Sequence, residues 1–321
     1  MTSPDRGKAW GPGKLGKLGF GGAGIGNLYR AMPDGEALAT VLAAWDAGIR
    51  YFDTAPHYGL GLSEQRLGAV LRDKPRDDFV ISTKVGRILE PSSRGGRDPE
   101  GFDVPADKER VWDFSEAGIR RSLEDSLERL GLDHVDIAYL HDADVHDLQA
   151  GISQGLPALE KLRAEGIVKA IGVGLNSAEA ALECVEAADL DLVMLAGRYT
   201  LLEQPSVPLL ERCLERRTGV VNVGVYNSGL LARPDVPDDA HYNYEQAPRA
   251  VVERARALAA VCRDFGVELP TAALQFPLRH PAVVNVTVGA SAPEQVAANA
   301  ARMAESVPEE LWAALEAAGR D

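Results

Sequence analysis

Cysteine, basic residues and long apolar runs are all scarce in this chain. It holds three cysteines, Cys184, Cys213 and Cys262, far apart and without CxxC spacing, which excludes a disulfide framework and suits a reducing, cytoplasmic setting. Lys and Arg number 34 against 48 Asp and Glu, a formal net charge of -14. A surface that acidic repels nucleic acid and anionic membranes, and no basic run overrides it. No stretch approaches about 20 uninterrupted apolar residues, and the opening MTSPDRGKAWGPGK has no apolar signal core, so neither a membrane span nor a secretory leader is expected. These exclusions leave small molecules as the expected partners; nothing in the helical patterns speaks to an oligomeric state.

What is present is repetition. Hydrophobic residues make up 45% of the 321 residues, enough to bury a large core. Apolar runs recur at 17–22, 49–53, 79–84, 136–141, 170–174, 191–196, 220–225 and 283–289, with amphipathic helical patterns such as SEAGIRRSLEDSLERLG between them. Continuous apolar strands alternating with helices imply a parallel sheet covered by helices. Eight such units predict an α/β fold of the (β/α)8 TIM-barrel type, one domain over 1–321, with its active site at the C-terminal ends of the strands. Residues 1–14 are expected to be flexible, and 87–114 and 228–248 to be long loops over the site.

Three of the runs end on groups that titrate. IRYFD stops at Asp53 with Tyr58 five residues on, FVISTK stops at Lys84, and DIAYLH stops at His141. Singly, each has a structural reading as a cap, a core aromatic, a solvated strand end or a satisfied loop residue. Four at successive strand ends argue for one pocket. Moving a hydride at a carbonyl or hemiacetal carbon requires a proton donor or acceptor at oxygen. Tyr58 can supply it; an isolated phenol has a pKa of about 10, so a cation such as Lys84 should stabilise its phenolate, with Asp53 pairing that cation and His141 orienting the substrate oxygen. Only Asp53 and His141 qualify as ligands at strand ends, so no metal is expected, and the cysteines fall in helical patterns rather than at strand ends.

The segment DTAPHYGLGLSEQRLG, with STK and LH downstream, resembles the aldo-keto reductase signature, from about Leu18 to about Asn299. The resemblance implies that Asp53, Tyr58, Lys84 and His141 are the catalytic tetrad and that the cofactor is a nicotinamide dinucleotide. It implies cofactor contacts from Gly22, Asp53, Asn176, Tyr226, Asn227 and Ser228, with Tyr226 ending the seventh strand and stacking on the nicotinamide. Gly289, Ala290, Ser291, Gln295 and Asn299 would hold the adenosine phosphate end, where a strand, a small-residue turn and a helix start suit phosphate. GVGLNS and LAGRYT depart from the family's usual carboxamide contacts, leaving Asn176 to take over. Between Gly289 and Ala301 there is no cation to grip a ribose 2′-phosphate, Arg302 being the first, and Glu294 would oppose one; NAD is therefore expected over NADP, with NADP possible.

FGGAGIGNLYRA, AGRYTLLEQ and VGVYNSGLL are similar to the branch of the family that oxidises the C1 hemiacetal of an aldose, of the L-fucose or D-threo-aldose type, to a lactone. Pyridoxal in its hemiacetal form, or aldehyde and ketone reduction generally, are the rival chemistries, and a non-catalytic cofactor-binding regulatory subunit is the answer of a different class. Arg198, His57, Trp112 and Asn227 are polar residues expected near the mouth, where sugar hydroxyls would be read.

Overall fold

Each apolar run becomes a strand buried on both faces, and the strands close on themselves because a parallel sheet of this kind has no face to leave in water. A computed structural model describes residue 10 and residues 12–242 and 245–318. Its barrel strands are β1 (Leu18–Gly21), β2 (Tyr51–Asp53), β3 (Val80–Val85), β4 (Ile137–His141), β5 (Ala170–Leu175), β6 (Leu192–Ala196), β7 (Gly219–Val223) and β8 (Val283–Gly289). They close in the order β1-β8-β7-β6-β5-β4-β3-β2, all pairs parallel.

Strand periodicity decides what points inward. Alternate residues face opposite sides of a strand, so Tyr51 and Asp53 share the interior, as do Val80, Ser82 and Lys84, and Ile137, Tyr139 and His141. Tyr51, Val80, Ile137, Tyr139, Leu192 and Val221 fill the barrel, with Trp10 and Leu15 closing its floor. Phe52, Ile81, Ala138 and Ile171 face the other way, into the layer shared with helical residues such as Val41, Leu67, Ile119 and Leu159. Room for the two buried tyrosines comes from glycine: a Cβ on Gly19 or Gly172 would stand 2.8 Å from the ring of Tyr51 or Tyr139 respectively.

A third glycine sets the spacing of two outer helices. Leu62–Leu71 crosses Glu116–Leu130 so closely that a Cβ on Gly68 would lie 2.0 Å from the carbonyl oxygen of Leu130. Alanine normally gains up to about 1 kcal/mol over glycine in a helix, but here backbone must move. Gly68→Ala is expected to lose about 1–3 kcal/mol in urea unfolding, the usual cost of overpacking; an unchanged or raised midpoint would show that the helices can part freely.

The long segments carry more structure than their composition suggests. Residues 87–114 contain an antiparallel hairpin, Arg87–Pro91 against Lys108–Trp112, and 228–248 contains a two-residue ladder, His241–Tyr242 against Glu245–Gln246. β7 stops at Val223, short of the expected 225, because Gly224 turns the chain at φ +71°. Tyr226 therefore stands beyond the strand rather than at its end. Of residues 1–14, expected to be flexible, 1–9 and 11 lie outside the described residues, while Trp10 is buried and Pro12–Leu15 form a turn of helix. The three cysteines are free and buried, and among the described residues no helix is long and apolar enough to cross a membrane.

Candidate active site

Asp53, Lys84 and His141 end adjacent inward rows at the same rim, because neighbouring registers pair Asp53 with Ser82, Lys84 with Tyr139 and His141 with Gly174. Lys84 Nζ donates to Asp53 Oδ2 at 2.6 Å and to the Thr54 carbonyl at 3.0 Å, and the Ser82 hydroxyl donates to the other Asp53 oxygen at 2.7 Å. Tyr58 completes the group: its ring centroid lies 4.7 Å from Lys84 Nζ and 6.0 Å from the His141 ring. The structure thus brings together the four residues expected from strand ends.

Burial decides the charges. It opposes the Lys84 ammonium, but Asp53 and Tyr58 outweigh it and hold the lysine's pKa above its ordinary value. Burial likewise raises Asp53, with Lys84 opposing; the short contact is that of an ion pair. For Tyr58 the expected lowering by Lys84 is present but smaller than the effect of burial, so the phenol's pKa is raised and the hydroxyl is held protonated in the free protein. His141 is pushed well below its usual value by burial, then by Arg87 and Lys84, and stays neutral. A protonated phenol beside a cation, facing a neutral imidazole, can lend a proton to a substrate oxygen or take one from it.

The rest of the DTAPHYGLGLSEQR segment holds loops. Ser63 Oγ donates to the Gly22 carbonyl and shares a hydrogen bond with Thr54 Oγ1, both at 2.8 Å. Glu64, fully buried, accepts from Thr83 at 2.8 Å and Arg129 at 2.6 Å. The Arg66 guanidinium donates to the carbonyls of Ile25 and Met32 and to Asn27 and Asp34. Gly22, Gly24 and Gly26 serve the same packing; a Cβ on Gly26 would stand 2.9 Å from the Tyr58 carbonyl, and one on Gly24 2.9 Å from that of Ala290.

Three clefts run together across the mouth. The central one, about 770 Å³, is lined by Gly21–Gly24, Asp53, Tyr58, Ser228 and Gly289–Ser291 with Gln295. It shares Ser228, Gly289 and Gln295 with an outer cleft of about 760 Å³ that holds Tyr226, Arg233, Glu294, Asn299 and Arg302. At its other end it shares Tyr58, Leu28, Tyr29 and Met194 with an inner cleft of about 450 Å³ holding His57, Lys84, Glu100, Phe102, His141, Asp142 and Asn176. A long trench walled by glycine backbone and by the start of helix Pro293–Ala304, with the proton-bearing group where central and inner clefts meet, fits an extended dinucleotide with a small substrate beyond it.

Other expected contact residues are engaged with neighbouring side chains. The Tyr226 hydroxyl donates to Asn299 Oδ1 at 2.8 Å and meets Arg302, and the residue lines the outer cleft with both. Asn227, in left-handed backbone, gives its amide to Glu203 at 3.0 Å and lines none of the three clefts. Asn176 reaches Asp142 at 3.4 Å in the inner cleft. Ser291 offers its N–H to Gln295 Oε1 at 2.8 Å. Trp112 lies against Arg87, 4.2 Å from its guanidinium carbon, outside the clefts. Among the described residues no group of three or more His, Cys, Asp or Glu could hold a metal ion.

The ion pair between Arg87 and Asp142 was not foreseen, nor was the one between Arg110 and Asp98, which closes at 2.7 Å. The first joins residues 55 apart in sequence; the available signal was position alone, Asp142 directly following the His141 strand end and Arg87 lying three residues beyond Lys84.

Comparison with known proteins places the chain among relatives. The profile of the aldo/keto reductase family matches residues 17–320. A D-threo-aldose 1-dehydrogenase of Pseudomonas sp is 53% identical over 305 residues, covering 93% of this chain and 92% of the relative. A pyridoxal 4-dehydrogenase of Microbacterium luteolum is 39% identical, covering 94% and 93%. Among solved structures, a glycerol dehydrogenase of Gluconobacter oxydans superposes with a TM-score of 0.77 at 25% identity over 95% of this chain and 91% of its own. The holo form of an aldo-keto reductase from Bacillus halodurans does so at 0.74 and 26%, over 94% and 91%.

Proposed function

The chain belongs to the aldo/keto reductase family and is a nicotinamide-dependent oxidoreductase; from that premise we propose that it oxidises the C1 hemiacetal of an aldose to a lactone, with NAD preferred. What carries this reading is the junction of the central and inner clefts at Tyr58, with Lys84, Asp53 and His141 around it. An oxidised nicotinamide dinucleotide held along Gly21–Gly24 and Gly289–Ser291 would supply the acceptor for the C1 hydride. Tyr58 takes the proton of the C1 hydroxyl, Lys84 stabilises the phenolate that must first form, Asp53 holds Lys84 in place, and His141 donates to and orients the sugar oxygen. The aldose is supported by the Pseudomonas relative and by the polar side chains His57, Glu100 and Asp142 in the inner cleft, which a simple aldehyde would not need.

The preference for NAD rests on the turn and helix start after β8, not on the outer cleft as a whole, which also holds Arg233. The Gly289–Ala301 stretch has no cation, and Glu294 stands in that cleft. Arg302 reaches the cleft but is engaged by Tyr226 and lies 3.8 Å from Glu268. The test is NADH or NADPH formation on mixing the protein with L-fucose, D-arabinose, L-galactose or pyridoxal. A strong NAD signal with an aldose, and NADP activity gained by Ser291→Arg, are expected. Turnover of pyridoxal alone would replace the substrate, and a wild type preferring NADP at matched concentrations would reverse the cofactor assignment.

A further inference from the structure

The inner cleft carries a polar group that proton transfer at C1 does not use. His57 Nδ1 lies 3.1 Å from Arg87 Nη1. A guanidinium only donates, so Nδ1 accepts and the hydrogen of the neutral ring sits on Nε2. The ring is neutral because burial, then Arg87 and Arg110, push its pKa down to about 2. Arg110 pins the residue from behind, donating to the His57 carbonyl at 2.8 Å while Asp98 grips Arg110 through both oxygens. Phe102 meets the ring edge-on at 5.2 Å.

The far side of the imidazole faces the cleft. His57 lines it with Tyr58 and His141, ring centroids 5.9 and 5.6 Å away. Among the described residues the ring's only hydrogen bond is the one at Nδ1. Glu100 stands at the Nδ1 side of the same ring, its side chain 46% exposed, with Oε2 3.6 Å from His57 Nδ1 and 3.7 Å from Arg87 Nη1, and Oε1 3.4 Å from Arg110 Nη1. Glu100 lines the same cleft as His57, Tyr58 and His141. A fixed donor and a charged acceptor in one cleft match a hydroxyl, which needs one of each.

We propose that His57 Nε2–H and the Glu100 carboxylate together bind a substrate hydroxyl beyond the reacting carbon, and that His57 is thereby the residue that selects polyhydroxylated substrates over plain aldehydes. This deepens the aldose reading and rests on its placement of the reacting carbon at Tyr58. Arg87 is a positioning residue: its hydrogen bond sets the tautomer.

Two variants separate binding from packing. His57→Phe keeps the ring against Phe102 but has no donor; His57→Gln returns an amide N–H near the Nε2 position. Each is assayed for aldose oxidation and, with NADH, for reduction of glyceraldehyde and of propanal. His57→Phe should lose about 10–100-fold in kcat/KM for aldose and glyceraldehyde, chiefly through KM, because the site's hydroxyl contact is unmade. Propanal reduction should change by less than about 3-fold, since it makes no such contact, and His57→Gln should recover part of the loss. Equal losses on propanal and glyceraldehyde, or none on glyceraldehyde, would overturn the assignment. A wild type that reduces glyceraldehyde but oxidises no aldose would sink the lactone-forming reading instead, with the glyceraldehyde-to-propanal ratio still deciding the role of His57.

Discussion

Tyr58→Phe is expected to cut turnover by about 10²–10⁴-fold, the usual worth of a positioned acid–base group, while cofactor affinity by titration stays within a factor of about 2 of wild type, a change too small to reflect a lost cofactor contact. The ring keeps its packing against Phe102 and His141, so a stability loss should not cloud the result. The pH profile gives an independent check. Oxidation needs the phenolate, and in the free protein burial raises the Tyr58 pKa against the pull of Lys84. Oxidation measured as kcat/KM should therefore climb with pH into the alkaline range, and reduction should fall off there. His57 and His141 both stay neutral, so no histidine limb is expected between about pH 5 and 8. Near-normal turnover in Tyr58→Phe would remove the phenol from its role; a histidine-like limb that survives in it would move the acid–base work to an imidazole.

How far the sequence could be read follows from the range of the interactions involved. Asp53, Lys84 and His141 were legible because a strand end is a local feature and the two-residue period assigns its face; the parallel register then brings the ends together. Tyr58 was legible from its spacing to Asp53 and from the surrounding signature. The hairpin over 87–112 was not, since its strands RILEP and KERVW are separated by a polar, glycine-rich stretch and pair across a gap in which no hydrophobic period survives. Nor could local pattern join Tyr226 to Asn299, 73 residues apart, or Arg87 to Asp142, 55 apart. The net direction of the Tyr58 shift was not legible for a related reason. The neighbouring cation could be inferred from strand order, whereas the depth of burial that outweighs it is a property of the assembled barrel.

Lys84→Met and Asp53→Asn should be strongly coupled, and the double variant separates stability from catalysis. Asp53 is 3% exposed and Lys84 2%. Removing the ammonium leaves a buried carboxylate with Ser82 as its side-chain donor, which should cost about 3–5 kcal/mol of unfolding free energy. Asp53→Asn/Lys84→Met removes both charges and should recover most of that loss, while oxidation remains down by roughly 10²–10⁴-fold, the range for a lost acid–base function, because the phenol, without its cation, is harder still to ionise. The pH dependence has a definite sign. Without Lys84, burial, the largest influence on Asp53, is opposed only by the Ser82 hydrogen bond and raises its folded pKa above the unfolded value of about 3.9. A carboxyl raised in this way favours the folded state at low pH and loses that advantage as pH rises through its folded pKa. The gap in unfolding free energy between the single Lys84→Met variant and the double variant should thus be widest near neutrality and narrow on acidification. Urea melts of both at a series of pH values measure it; a gap independent of pH, or two variants equally unstable throughout, would mean that the Asp53 charge is not what Lys84 balances. If the double variant regained activity along with stability, Lys84 would serve only to hold the barrel mouth together, and the phenol would ionise without it.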